Sequence, residues 1–490
     1  METQHYPSRR RGGTRALVLL GLCLLIACNS SIPKPAPDNM HLGSKTPQAC
    51  VSTLESAPPH LGPTTLTTLE QAYWCLFDQY VTGKTLDDRV LLNGAFIGFV
   101  QELLRRGVDQ PMAQLPALSG DRQADLYTFG TVYQRVIKAL PQDTSLQQDL
   151  AAATMQGMVG SLDDDHTRWG RPISPPAEVV RRFPNGALYG LGIVTSASGG
   201  VVPALPEAQP PLFILSIWPA SPAARQGLRP GDFITAVNGI PPFSNGQINP
   251  GVLAWLSPSP SQSAGVQVTL QRPVTGQTWT VALTPGPFVF PGPLVSTRVL
   301  AGSLAYIQLD GFDTGAGYEV LGAIHGLKLG KHLRGIILDL RSNGGGDPVG
   351  VAELLGAFVH GKIWSYDLDR DGKRRANQTE DSVPLLLQPL VVLTDRRCFS
   401  ACEAFTGAVR DLGLGKIVGM RTGGKVAGPA YGYSLDDGSV LAITVVREAG
   451  AKGETIDGIG VAPDYVVPLT AVALSAGHDA EIEKAISVLS

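Results

Sequence analysis

Residues 334–347 read "RGIILDLRSNGGGD": an apolar run closing at Leu340, a short polar step, then three glycines that lead toward Pro348. The run is brief and flanked by glycine, the signature of a buried strand rather than a helix. Proline suits the first turn of a helix, where its missing N–H would find no partner in any case. The stretch therefore predicts a strand, a glycine loop and a helix beginning near Pro348. Such a loop can hold an anion, but no Gly-Lys-Ser/Thr follows, so it lacks the spacing of a nucleotide phosphate loop. Outward from it, the strand-like runs "LAYIQLDGF" and "PLVVLTD" alternate with the helical run "VGVAELLGAFV". That alternation makes the region after Pro291 an α/β core.

A second junction of this kind lies at 398–405, "CFSACEAF", where three side chains in five positions are potential nucleophiles. Upstream, "LLLQPLVVL" from Leu385 to Leu393 reads as a buried strand. Downstream, Ala401, Ala404, Phe405, Ala408, Val409 and Leu412 recur at helical spacing, and Gly413 is a stop. Ser400 thus sits where unpaired helix N–H groups face an approaching ligand and offer a site for a developing oxyanion. The plainer reading is an N-cap serine.

With 490 residues, 43% hydrophobic and 17% charged, the chain is globular, with two or three domains. Its net charge is −3, and no long basic block follows the N-terminus, so nothing indicates a nucleic-acid partner. "RRRGGTR" followed by "ALVLLGLCLLIAC" reads as a secretory signal. Its end, Leu25-Ile26-Ala27-Cys28, resembles the lipobox of bacterial lipoproteins, which implies acylation of Cys28 and attachment of the mature chain to the cell envelope, facing the periplasm or the exterior. Residues 29–65 would then be a flexible tether. Of six cysteines, Cys50, Cys75, Cys398 and Cys402 remain for disulfides, with Cys50–Cys75 and Cys398–Cys402 the sequence-local choice among three pairings. No cysteine pair has zinc-ligand spacing, so no metal is expected.

The organisation expected is α/β and α+β multidomain. A helical N-terminal region spans 66–182, a β-rich domain 183–288, an α/β core 289–475 and a C-terminal helix 476–490. "SYDLDRDGKRRANQTED" is a charged loop or hairpin whose aspartates do not fit the twelve-residue calcium loop.

In the β-rich domain, "YGLGI" at 189–193 followed by "SIWPASPAARQGLRPGDFITAVNG" closely resembles a PDZ domain. The resemblance implies that the amides of Leu191, Gly192 and Ile193 hold the terminal carboxylate of a protein ligand, one with an apolar last residue, which pairs as an added strand. In the core, "DLRSNGGG", "FSACEAF", "GMRTGGK" and "GIGVAPD", in this order after a PDZ domain, resemble the carboxyl-terminal (tail-specific) processing proteases, serine proteases with a Clp/crotonase-like core. The likeness covers roughly residues 150–470.

That family resemblance places the nucleophile on Ser400 and the oxyanion donors on Ala401 and the glycine loop, chiefly Gly345. Lys425, 25 residues after Ser400, falls on the family's lysine base. A lysine base must be desolvated until its pKa drops from about 10.4 toward neutral. Relatives in the wider family instead use a histidine and a carboxylate, which here would be His166 and Asp457, so Ser400-His166-Asp457 is the alternative constellation. Pro429 stands where lysine-type members often carry a glutamine, and Glu403 is placed to orient either base or to meet the helix N-terminus. The resemblance implies a secreted, lipid-anchored endopeptidase that needs no cofactor and acts on proteins with accessible C-termini. A non-catalytic PDZ scaffold is the other class of reading.

Overall fold

The computed structural model describes residues 50–53, 61–162, 164, 166–171, 187–197, 208–258, 263–289, 294–426 and 428–490. The signal segment, Cys28 and most of the tether lie outside these residues. No described helix is long and apolar enough to cross a membrane.

Four helices open the described chain: Leu66–Gln79, Asp88–Arg106, Arg122–Ala139 and Thr144–Gly160. Each starts at a residue whose side-chain oxygen accepts a free amide of the first turn, in order Thr65, Asp87, Asp121 and Asp143. Their apolar faces, with Tyr73, Phe99, Phe129 and Leu150, share one core with Tyr433, Leu441 and Ile443. Those last residues belong to an antiparallel sheet ordered Val51–Ser52, Ala430–Ser434, Val440–Thr444 and Arg168–Gly170. The helices thus roof a sheet that carries His166 just ahead of its edge strand. A disulfide between Cys50 and Cys75 ties the first strand to the first helix.

The β-rich segment closes around Leu191, Ile214, Val237, Val252, Leu256 and Leu270. Its turn at 190–192 requires glycine. Gly190 and Gly192 have φ of 140° and 75°, and a Cβ on Gly192 would lie 2.1 Å from the Cβ of Ser221. Beyond the turn, strand Ile193–Thr195 pairs with Ile214–Ile217 on one side only, leaving the other edge open among the described residues.

The α/β core is a six-stranded sheet ordered Val295–Leu300, Leu304–Leu309, Gly335–Asp339, Leu390–Thr394, Gly415–Gly419 and Tyr465–Val466. All neighbours are parallel except the first pair. Successive residues face opposite sides, as strand geometry dictates. Ile336, Leu338 and Val392 pack with helices Ala316–Gly326, Pro348–Gly356 and Ala401–Leu412, while Ile337, Val391 and Leu393 pack with the last helix, Ala480–Leu489.

One strand expectation is corrected. The apolar run from Leu385 becomes a strand only at Leu390, because Pro384 and Pro389 punctuate it and Leu387 is 87% exposed. A second, three-stranded sheet joins Arg374–Gln378, Ile363–Asp369 and Val446–Gly450, setting Asp367 directly opposite Glu448.

Candidate active site

The parallel register Asp339↔Leu393 brings two strand-to-helix loops side by side at the carboxyl ends of their strands, where open α/β sheets place ligands. One is the glycine loop and the other ends in Ser400. Ser400 has φ 52° and ψ −122°, a conformation that non-glycine residues seldom adopt, and its side chain makes no capping bond to the helix. The N-cap reading therefore does not describe it.

Backbone bonds hold this strained elbow. The Ser400 N–H donates to the Lys425 carbonyl at 3.0 Å, the Phe399 N–H to Asn343 O at 3.1 Å, and Ser400 O accepts from Glu403 and Ala404 at 2.8 and 3.0 Å. Cys398 and Cys402 are fully buried and bonded to each other across the elbow, with Cα atoms 5.3 Å apart. Two of the three potential nucleophiles are thereby removed, leaving the hydroxyl.

Gly345 lies against this point. A Cβ there would stand 2.8 Å from the Ser400 Cβ, 3.0 Å from the Ala401 nitrogen and 2.7 Å from the Phe399 oxygen, and its φ is 98°. Only glycine allows the two loops to approach so closely. Its N–H donates to Asn343 Oδ1 at 2.8 Å, while the fully buried Asn343 in turn donates from Nδ2 to Leu309 O at 2.8 Å. Gly346, next in the loop, lines a cavity of about 240 Å³ together with Ser400, Ala401 and His166.

His166 reaches that cavity because its backbone N–H donates to Asp164 Oδ1 at 2.9 Å and the following Thr167 is fastened to strand Val440–Thr444. Asp457 accepts the Val426 N–H at 3.1 Å. Burial pushes the Asp457 carboxyl up, and the Val426 amide and the charges of His166 and Arg447 oppose that rise.

Lys425 belongs to a loop clamped by Glu403. This fully buried carboxylate accepts the Thr422 hydroxyl at 2.5 Å and the Gly424 and Lys425 amides at 2.6 Å each. Burial raises the Glu403 carboxyl, and these donors pull it back. The Lys425 Nζ stands 5.6 Å from the centroid of the Phe399 ring. Its side chain does not line the cavity, whereas Pro429 does. Among the described residues no cluster of three or more His, Cys, Asp or Glu could hold a metal ion.

In the β-rich domain the carbonyls of Leu191 and Gly192 accept the Ala223 and Trp218 amides at 3.0 Å each, fixing the turn whose Leu191, Gly192 and Ile193 amides are the candidate carboxylate donors. The domain reaches the elbow through Arg397. Its Nη1 donates to Thr195 O at 3.5 Å, its Nε to Ser342 Oγ at 3.0 Å and its Nη2 to Asp395 Oδ2 at 2.5 Å.

The contacts of Asn343 and Arg397 were not legible in the sequence: Asn343 lies within the glycine-loop motif, but Arg397 carries no local pattern.

Comparison with known proteins bears on the same segments. Residues 303–467 match the model "Peptidase family S41" and residues 213–263 match "PDZ domain". A chloroplastic carboxyl-terminal-processing peptidase 2 of Arabidopsis thaliana is 31% identical over 329 residues, 64% of this chain and 59% of its own length. A chloroplastic C-terminal processing peptidase of Tetradesmus obliquus is 29% identical over 324 residues, 63% of this chain and 66% of its own. The chain thus spans about three fifths to two thirds of these relatives. A solved structure titled photosystem II D1 C-terminal processing protease shares the fold at TM-score 0.50 and 24% identity, over 86% of this chain and 97% of that one. The chain accordingly carries a PDZ domain and a peptidase family S41 domain, and it is a homologue of the carboxyl-terminal-processing proteases.

Proposed function

We propose that the chain is a serine endopeptidase that captures protein C-termini in its PDZ domain and cleaves the bound polypeptide through an acyl-enzyme on Ser400. The observation that carries this reading is the uncapped, left-handed Ser400 at the head of helix Ala401–Leu412, on the wall of a cavity shared with His166 and Ala401. The hydroxyl oxygen attacks the scissile carbonyl and its proton passes to a base. The negative charge that develops on the carbonyl oxygen is met by the Ala401 N–H, one of the amides a helix start leaves unpaired. The second donor comes from the glycine loop. Gly345 serves once its amide leaves Asn343 Oδ1. The base then gives its proton to the departing amine, and water releases the acyl group by the same steps in reverse order.

Lys425 is the base in this reading. Its spacing from Ser400, the bond from the Ser400 amide to its carbonyl, and the Glu403 clamp on its loop support the assignment. It must act as a neutral amine. A second reading, His166 as base with Asp457 as its orienting carboxylate, is favoured by one specific observation: His166, and not the lysine amine, lines the cavity with Ser400. The mature protein would be held at the bacterial cell envelope by lipid on Cys28, with its substrates in the periplasm or outside.

Cleavage of a disordered protein by wild type, Ser400→Ala, Lys425→Ala and His166→Ala tests this. Ser400→Ala is expected to lose activity on the order of 10⁴-fold or more. Full activity in Lys425→Ala overturns the lysine assignment, and full activity in Ser400→Ala overturns the mechanism. No cleavage by wild type across a panel of disordered substrates favours the scaffold reading.

A further inference from the structure

We propose that Glu448 makes the cavity beside Ser400 a specificity pocket for a lysine or arginine side chain, carried by the substrate residue just before the scissile bond. The proposal rests on the protease reading of that cavity. Glu448 and Ser400 line one space of about 240 Å³, walled on its apolar side by Pro348, Val351, Trp364 and Ala404. The Trp364 indole N–H is already bonded to Gln378 O at 3.1 Å, so the ring offers only apolar surface. Such walls suit the methylene stem of a long basic side chain, provided its charged end finds a partner at the far end.

Glu448 is that partner, because among the described residues no cation pairs with it. It lies across the strand pair from Asp367, whose carboxylate takes Arg375 Nη2 at 2.7 Å and Asn377 Nδ2 at 3.0 Å. Asn377 also donates to Ser365 Oγ at 2.9 Å, which leaves the Ser365 hydroxyl proton for Glu448, one diagonal step along the sheet. The second oxygen, Oε1, is shut off from solvent and has no hydrogen-bond partner among the described residues. Leaving a buried acceptor unpaired is costly, and structures keep few such groups without a use for them.

Burial lifts the Glu448 carboxyl to about 7, and the charges of Asp367 and Glu403 add to the rise against the Ser365 bond. Once the carboxyl turns Oε1 into the cavity that the side chain lines, a substrate ammonium or guanidinium supplies the missing donor and restores the carboxylate in one contact. Arg168 and His166 also line the cavity, and Arg168 is exposed, so an acidic substrate side chain would meet them instead of Glu448.

The test uses peptides differing only at the residue before the cleaved bond. Wild type is expected to favour lysine or arginine over methionine by on the order of 100-fold in kcat/KM. In Glu448→Gln that ratio falls to about 1. A wild-type ratio near 1, or one that Glu448→Gln leaves unchanged, overturns the proposal. A reading without turnover separates it from the protease mechanism itself: Ser400→Ala is titrated with amidated peptides ending in lysine or methionine, the amide removing the carboxylate that the PDZ turn would hold. Tighter binding of the lysine peptide, abolished by adding Glu448→Gln, supports the pocket even if no peptide is cleaved. Equal affinities overturn it.

Discussion

In the proposed function two turns present backbone amides to a ligand, and they reach their conformations differently. The turn at Gly190–Gly192 reaches positive φ with glycines, at little conformational cost, and leads into a strand whose other edge no described strand covers. The elbow at Ser400 reaches φ 52° with a side chain that the proposed chemistry needs, so the strain must be held by its surroundings: the Asn343 and Lys425 backbone contacts, the Cys398–Cys402 bridge and the close approach of Gly345. A capture site can be built from permissive residues alone. A nucleophile has to be clamped.

Gly345→Ala is the strongest way to break that contrast on the catalytic side. Its Cβ would collide with the Phe399 oxygen and the Ser400 Cβ in a left-handed backbone, pushing the glycine loop off the elbow. The expected loss in kcat is on the order of 10²–10³-fold, with C-terminal peptide affinity retained, checked by turnover kinetics beside calorimetry. Gly192→Ala is the converse. The clash with Ser221 distorts the PDZ turn, so affinity for a C-terminal peptide should fall roughly 100-fold. Turnover of a short peptide too small to span both sites should change little. Equal effects on both readouts would contradict a division of labour.

Removing the clamp's covalent part sharpens the comparison further. Cys398→Ala with Cys402→Ala should lower folding stability by about 2 kcal/mol, read from denaturant titration, since a bridge closing so short a loop constrains the unfolded chain only modestly. Activity should fall with it, because the bridge spans the proposed nucleophile, while PDZ peptide affinity stays as it was. Unaltered kcat in that variant would show that the backbone contacts alone hold Ser400.

Much of this was legible in the sequence, for local reasons. Helix Ala401–Leu412 shows its period and its Gly413 stop, and the glycine loop announces itself between Leu340 and Pro348. The strand before Ser400 was read five residues too early, because an apolar run does not reveal where a neighbouring strand begins to pair; Ile336 meets the carbonyl of Pro389, and nothing earlier in the run joins the ladder. Glu448 was invisible for a stronger reason. Its lack of a cationic partner among the described residues depends on the register with Asp367 and on Arg375 and Asn377 having satisfied Asp367 first, a relation spread over residues 367–448. His166 shows a similar limit. Its motif was readable, but its place beside Ser400 comes from the sheet that links residues 168–170 to 440–444.

The central claim is that the hydroxyl of Ser400, held uncapped at the helix start, is the attacking group. A fluorophosphonate probe reacts covalently with such an activated serine, and peptide mapping by mass spectrometry locates the adduct. One adduct on the peptide containing Ser400, lost in Ser400→Ala and formed in step with loss of proteolysis, is the predicted result. Proteolysis that continues undiminished with Ser400 fully modified, or an adduct that persists in Ser400→Ala, would contradict it.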